Sequence, residues 1–193
     1  DYQGAIADYD RAISIDSQNA DFYNYRGNAE FQLNDYHRAI ADYNKAISIN
    51  PQEADLYNSR GIAKFELGNH QGAIADYNKA ISINPQDADL YNNRGNARFQ
   101  LNVYYRAIAD YNKAISINPE NATFYNNRGN AKLGLGDHRG AIADYNKAIS
   151  INPQEADLYN SRGIAKFELG NHQGAIADYT KAISINPENA TFY

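Results

Sequence analysis

The sequence predicts an all-α solenoid of antiparallel helix pairs, on three observations. Gly27, Gly61, Gly95, Gly129 and Gly163 stand 34 residues apart, and Ala39, Ala73, Ala107, Ala141 and Ala175 keep the same step. All five prolines (Pro51, Pro85, Pro119, Pro153 and Pro187) fall on one register of that period. Within each period two stretches carry apolar residues at three- and four-residue steps, which an α-helix gathers on one side. Two helical patterns per 34 residues mark a helical repeat array, in which each unit buries its apolar face against its neighbours.

With Ala20 as position 1, complete units cover residues 20–53, 54–87, 88–121, 122–155 and 156–189. Residues 1–19 supply only the second helix of a truncated unit, and 190–193 the start of another. Cuts inside units, with no methionine even at position 1, read as a piece of a longer protein. Units 54–87 and 156–189 differ only at Asn78/Thr180, Gln86/Glu188 and Asp87/Asn189, which points to recent duplication or consensus construction.

The unit 54–87 shows why each element forms. In its first pattern Leu56, Tyr57, Gly61, Ala63 and Leu67 share one helix face. Gly68 supplies a left-handed stop, and Asn69 is a good N-cap for the next helix. That helix, His70 to about Ile83, is expected to bury Ala73, Ile74, Tyr77, Ala80, Ile81 and Ile83. Asn84-Pro85 ends it, because proline disfavours helix in the residue before it. Asn19, Glu53, Asp87, Asn121 and Glu155, at position 34, sit where a helix N-terminus welcomes a capping oxygen or a negative charge. Small Gly61, Ala73 and Ala80 allow close helix approach, with Tyr57 and Tyr77 filling the space on either side.

The run Tyr57…Gly61…Ala73…Tyr77…Ala80…Pro85 resembles the tetratricopeptide repeat at the family's own spacing, over the whole chain. The resemblance implies a right-handed superhelix with a concave groove lined by the first helices, in which extended peptides bind. Departures are Tyr at the family's Trp-type position 4, Arg for Leu at position 7, and Glu30, Lys64, Arg98, Lys132 or Lys166 for the aromatic at position 11. The neighbouring Phe31, Phe65, Phe99, Leu133 and Phe167 are expected to offset the last change.

Groove positions 2, 5, 6, 9, 12 and 13 fall on one helical stripe. Position 5 is always Asn (Asn24, Asn58, Asn92, Asn126, Asn160), position 9 adds Asn28, Asn96 and Asn130, and position 6 adds Asn93 and Asn127. A carboxamide both donates and accepts, so such a ladder suits a peptide backbone. It is similar to the asparagine ladder of the O-GlcNAc transferase repeat arm, although that one uses position 6. Asp21, Asp55, Asp89 and Asp157 at position 2 make the stripe mildly acidic, which favours neutral or basic segments. Tetratricopeptide modules that clamp acidic chaperone tails carry Lys and Arg at positions 2, 5 and 6; Asp, Asn and Asn/Ser/Tyr here argue against that partner class. Tyr25 and Tyr105 are the aromatic rings expected to face a partner, while the other tyrosines suit repeat packing.

Arg26, Arg60, Arg94, Arg128 and Arg162 fall at position 7, toward the core, and a buried guanidinium needs a partner. Position 23 offers Asp8, Asp42, Asp76, Asp110, Asp144 and Asp178. A ladder of structural Arg–Asp pairs is expected, either within a unit or between adjacent units.

Other chemistry finds no support. A net charge of -5 argues against nucleic acid, and no apolar run reaches membrane length. There is no cysteine, hence no thiolate chemistry. His70, His138 and His172 share one repeat position and cannot converge on a metal, and His37 lacks a second ligand. Ser14, Ser48, Ser82, Ser116, Ser150 and Ser184 repeat with the scaffold, whereas catalysis needs one unique constellation. No catalytic, metal or cofactor site is expected. The function expected is a non-catalytic protein-interaction scaffold holding an extended peptide or partner segment in the Asn-rich groove. The alternatives are a structural array that self-associates head-to-tail, or the recognition arm of a larger enzyme. Nothing names a compartment, and the cytoplasm is the default expectation.

Overall fold

A computed structural model describes residues 1–188; Asn189 and the tail 190–193 assigned above to a further unit lie outside the described residues. Described residues form eleven α-helices: α1 (Tyr2–Ile15), α2 (Ala20–Gln32), α3 (Tyr36–Ile49), α4 (Ala54–Glu66), α5 (His70–Ile83), α6 (Ala88–Gln100), α7 (Tyr104–Ile117), α8 (Ala122–Gly134), α9 (His138–Ile151), α10 (Ala156–Glu168) and α11 (His172–Ile185). They divide into two compact units, Asp1–Ala97 and Arg98–Tyr193, with the boundary inside α6.

Local chemistry sets the helix ends. Position 15 is left-handed in every complete repeat, at Asn34 (φ 61°), Gly68 (75°), Asn102 (57°), Gly136 (77°) and Gly170 (82°). Glycine and asparagine are the residues that take this conformation at little cost. The following cap then accepts a helix N–H, as Asn69 does from Gly72 at 3.0 Å and Asp137 from Gly140 at 2.9 Å. Position 34 divides by side-chain length. Asn19, Asp87 and Asn121 accept from the backbone N–H two residues on, at 2.9–3.0 Å. Glu53 and Glu155 make no side-chain cap, and Glu53 accepts instead from Asn50 Nδ2 at 2.9 Å. The extra methylene of glutamate carries its carboxylate past the capping position.

Within a repeat the contacts run antiparallel: the end of α4 meets the start of α5 (Phe65 and His70 rings 5.0 Å apart), and Gly61 in mid-helix meets Tyr77. The tyrosine at position 24 is the central plug. Tyr43, Tyr77 and Tyr145 are almost fully buried, each against the glycine of its own repeat and the position-10 alanine of the next: Ala63, Ala97 and Ala165. Burial pushes their phenols far above the ordinary range and keeps them neutral. Around Ala80 a second layer forms, with Tyr57 of its own repeat and Leu90 of the next; Ala148, Tyr125 and Leu158 repeat it. The position-4 tyrosines each donate from the hydroxyl to the backbone carbonyl six residues earlier (Tyr57 to Pro51 at 3.2 Å, Tyr159 to Pro153 at 3.1 Å), tying the inter-repeat turn to the helix it precedes.

A Cβ added at Gly61 would lie 2.7 Å from Tyr77 Cε1, closer than packed atoms tolerate. Overpacking costs about 1–3 kcal/mol, against about 1 kcal/mol of improved helix propensity. Gly61→Ala is therefore expected to lose about 1 kcal/mol net in urea unfolding; a gain in stability would contradict the packing described.

Candidate functional site

The stripe on the first helices is polar but not uniformly available. Asp21, Asp55, Asp89 and Asp157 are exposed, in the first turn of α2, α4, α6 and α10, where the helix dipole also favours them. The position-5 asparagines lie deeper: Asn24, Asn58, Asn126 and Asn160 are half-buried and Asn92 is buried. Asn58 Oδ1 accepts from Asn93 Nδ2 at 3.1 Å, joining position 5 of one repeat to position 6 of the next. After Asn24 and Asn126 the corresponding residues are Ser59 and Ser161, and both Oδ1 atoms are buried without a hydrogen-bond partner.

Position 9 has a structural task that sequence reasoning missed. Asn28 accepts from the Tyr43 hydroxyl at 2.8 Å, and Asn130 from that of Tyr145 at 2.7 Å. Their carbonyl oxygens therefore hold the core plug. Asn96 and Asn127 also lie on the stripe, half-buried and engaged in interactions of their own. A cavity of about 200 Å³ opens beside the stripe in the first compact unit, lined by Ile62, Phe65, Glu66, Tyr77, Asn93 and Asn96. Tyr25 is half-exposed, its ring 5.9 Å from that of Tyr9, and Tyr105 is largely exposed.

The other side of each first helix carries the charges. Arg26, Arg60, Arg128 and Arg162 each clasp the position-23 aspartate of their own repeat through two nitrogens: Arg26 with Asp42 (2.6 and 2.6 Å), Arg60 with Asp76 (2.9 and 2.5 Å), Arg128 with Asp144 (2.9 and 2.6 Å) and Arg162 with Asp178 (2.8 and 2.6 Å). The remaining guanidinium nitrogen donates to position 25 of the preceding repeat: Asp10 at 2.6 Å, then Asn44, Asn112 and Asn146 at 2.7 Å. Arg94 makes the same bond to Asn78 at 2.7 Å. Each of the five arginines also sits over the position-4 tyrosine ring, 5.5–5.7 Å from its centre. Asp110 receives Arg98 Nη1 at 2.6 Å.

Asp8 departs from the expected ladder. It is exposed, with Arg11 3.6 Å away. A further cation completes three of the other sites: Lys64, Lys132 and Lys166 at position 11 place Nζ 2.7–2.8 Å from Asp76, Asp144 and Asp178. Burial alone would raise the Asp178 carboxyl, but hydrogen bonds from Arg162 and Lys166 outweigh it and hold the group below its ordinary range. The position-25 asparagines were invisible as partners in the sequence because they look like solvent-facing residues of the second helix.

The site is thus a non-convergent strip of carboxamides backed by a satisfied ionic scaffold. No cluster of three or more His, Asp or Glu with metal-binding geometry occurs among the described residues, and no described helix is long and apolar enough to cross a membrane. A family model for the TPR repeat matches residues 1–29, 27–68, 63–102, 95–136 and 130–170, and a tetratricopeptide repeat model matches 156–189. The chain belongs to the tetratricopeptide repeat family.

Solved structures similar to this tetratricopeptide array include a MamA protein, 26% identical, with a TM-score of 0.79 over 89% of this chain and 94% of that one. YrrB, described as a TPR protein with an unusual peptide-binding site, is 21% identical, with a TM-score of 0.76 over 95% of each chain. MamA from Desulfovibrio magneticus RS-1 is 18% identical, with a TM-score of 0.82 over 89% of this chain and 97% of that one. No curated protein matches the chain in sequence. The fold is accordingly the all-α tetratricopeptide solenoid, and Arg60, Arg128 and Arg162 at position 7 are each accommodated by the aspartate and asparagine that enclose them.

Proposed function

We propose that this tetratricopeptide array is a non-catalytic protein-interaction scaffold that holds an extended peptide segment along the asparagine-bearing face of its first helices. The observation that carries this reading is the pair of buried, unpartnered carboxamide oxygens at Asn24 and Asn126. A buried acceptor without a donor costs about 1–3 kcal/mol, and a peptide backbone N–H would relieve that cost once the carboxamide turns toward the groove. Asn58 and Asn93 show the same carboxamide chemistry satisfied from within, so the stripe tolerates a hydrogen-bonding group at that depth. The cavity beside Ile62, Phe65 and Tyr77 has room for an apolar side chain of the same segment. The exposed Asp21, Asp55, Asp89 and Asp157 favour a neutral or basic peptide, and repel an acidic one. YrrB, a fold relative described as having a peptide-binding site, lends the reading a precedent.

Fluorescence anisotropy against a panel of labelled, extended peptides of varied net charge tests it. Neutral and basic members should bind, with Asn24→Ala and Asn126→Ala each weakening binding about fivefold, or about 1 kcal/mol, with no loss of thermal stability. Binding that survives both substitutions intact would remove the asparagine face from consideration.

A further inference from the structure

Position 11 is cationic in four of the five complete repeats: Lys64, Arg98, Lys132 and Lys166. Each reaches the position-23 aspartate, at 2.6–2.8 Å, as the cation that completes its coordination. In the repeat 20–53 the residue is Glu30. The substitution removes one positive charge and adds one negative charge beside Asp42. Asp42 keeps Arg26, whose Nε and Nη2 meet its two oxygens, but Glu30 stands where a counterpart of Lys64 would be. Glu30 is only 7% exposed, and its Oε2 is buried with no hydrogen-bond partner.

The space belonging to the missing cation is open. A cavity of about 320 Å³ is lined by Ile6 and Asp10 of α1, Arg26 and Glu30 of α2, and Arg38 and Asp42 of α3. Arg26 is committed to Asp42 and Asp10, both at 2.6 Å. Arg38 points outward, three-quarters exposed, with Asp35 3.4 Å away. Three carboxylates therefore face the cavity against one fully engaged guanidinium and one peripheral one. Burial, and then the charge of Asp42, push the Glu30 carboxyl up to about 7; Asp35 adds to the rise, while Arg26 and Arg38 oppose it.

We infer that this cavity is a receptor for the ammonium group of a lysine side chain from a partner protein, which takes the place that Lys64, Lys132 and Lys166 fill from within. The equivalent repeats show the chemistry that fits: a primary ammonium against an aspartate already held by arginine. Ile6 offers an apolar wall for the aliphatic stem. A bare metal ion suits the site poorly, because the Arg26 guanidinium sits among the same oxygens. Arg26 and Glu30 lie roughly 200° around α2 from Asn24 and Asn28, so the site is separate from the asparagine face and stands or falls independently of it.

The test is a carbon-13 titration of the Glu30 side-chain carboxyl in the full chain. The probes are the peptide Gly-Gly-Lys-Gly-Gly with blocked termini, its norleucine analogue, n-butylamine, and magnesium chloride at matched ionic strength. The lysine peptide should lower the Glu30 midpoint and bind roughly tenfold more tightly at pH 8 than at pH 5.5, with butylamine weaker and the norleucine peptide inert. Glu30→Lys, which supplies the cation internally, should abolish binding of the lysine peptide read by fluorescence anisotropy of a labelled copy, while leaving the circular dichroism spectrum unchanged. A midpoint that the lysine peptide leaves in place, that magnesium moves as far, or that butylamine moves further would overturn the inference. So would a response seen only in Arg38→Gln, since Arg38 would then be the resident cation.

Discussion

Asp76→Ala is expected to cost about 3–5 kcal/mol of stability in urea unfolding followed by circular dichroism. The carboxylate is almost fully buried and receives Arg60 Nε at 2.9 Å, Arg60 Nη2 at 2.5 Å and Lys64 Nζ at 2.8 Å. Removing it leaves two largely buried cations facing each other without a counterion. Desolvated charge is the expensive quantity here, because a complete buried pair is worth little over an apolar pair while a broken one is strongly destabilising. Asp76→Asn should lie between, since it keeps one acceptor and loses the charge. A loss under about 1 kcal/mol for Asp76→Ala would mean that the cations escape to water and that the cluster does not hold the repeat. Acid should act in the same direction. Asp178, held below its ordinary 3.8, contributes stability that is present above that pH and lost as the pH falls through the lowered value.

Tyr145→Ala is expected to be as severe, about 3–5 kcal/mol, for a different reason. The ring is completely buried, pressed on Gly129 and packed with Ala141 and Ala165. All three of these neighbours are small, so none can extend into the vacated space, and a cavity remains. A comparison of phenylalanine variants separates the ring from its hydroxyl. Tyr145→Phe should lose about 1 kcal/mol, because the hydroxyl donates to Asn130 at 2.7 Å. Tyr77→Phe should be close to neutral, because Ile62 offers no acceptor at the same position. Equal costs for the two phenylalanine variants would show that the Asn130 bond contributes nothing.

These variants also mark how far the repeat pattern could be read. Helix starts at Ala54 and His70, the left-handed stop at Gly68 and the small contact positions are local or periodic properties. They follow from side-chain size, capping chemistry and backbone freedom. The glutamates at position 34 bring negative charge to the helix N-terminus without a side-chain capping bond. Asparagine and aspartate reach the first free N–H groups, whereas Glu53 turns to Asn50. The candidate site was legible as a stripe, because helical periodicity shows which residues share a face. Its division of labour was not legible. Asn28 and Asn93 look equivalent in sequence, yet one supports Tyr43 and the other Asn58.

The 34-residue period, the helix pairs and the recurrence of an arginine at position 7 and an aspartate at position 23 of every complete unit were determined by sequence alone, since each depends on spacing along one chain. Tertiary structure decided where each polar group ends. It gave Arg60 to Asp76 of its own repeat and, by its third nitrogen, to Asn44 of the repeat before, a choice set by how far one helix is offset along its neighbour. It also turned one departure at position 11, Glu30, from a surface substitution into a buried carboxylate beside Asp42 with no cation of its own. Periodicity records which face a residue occupies; only packing brings two faces together and decides whether a charge buried there is matched.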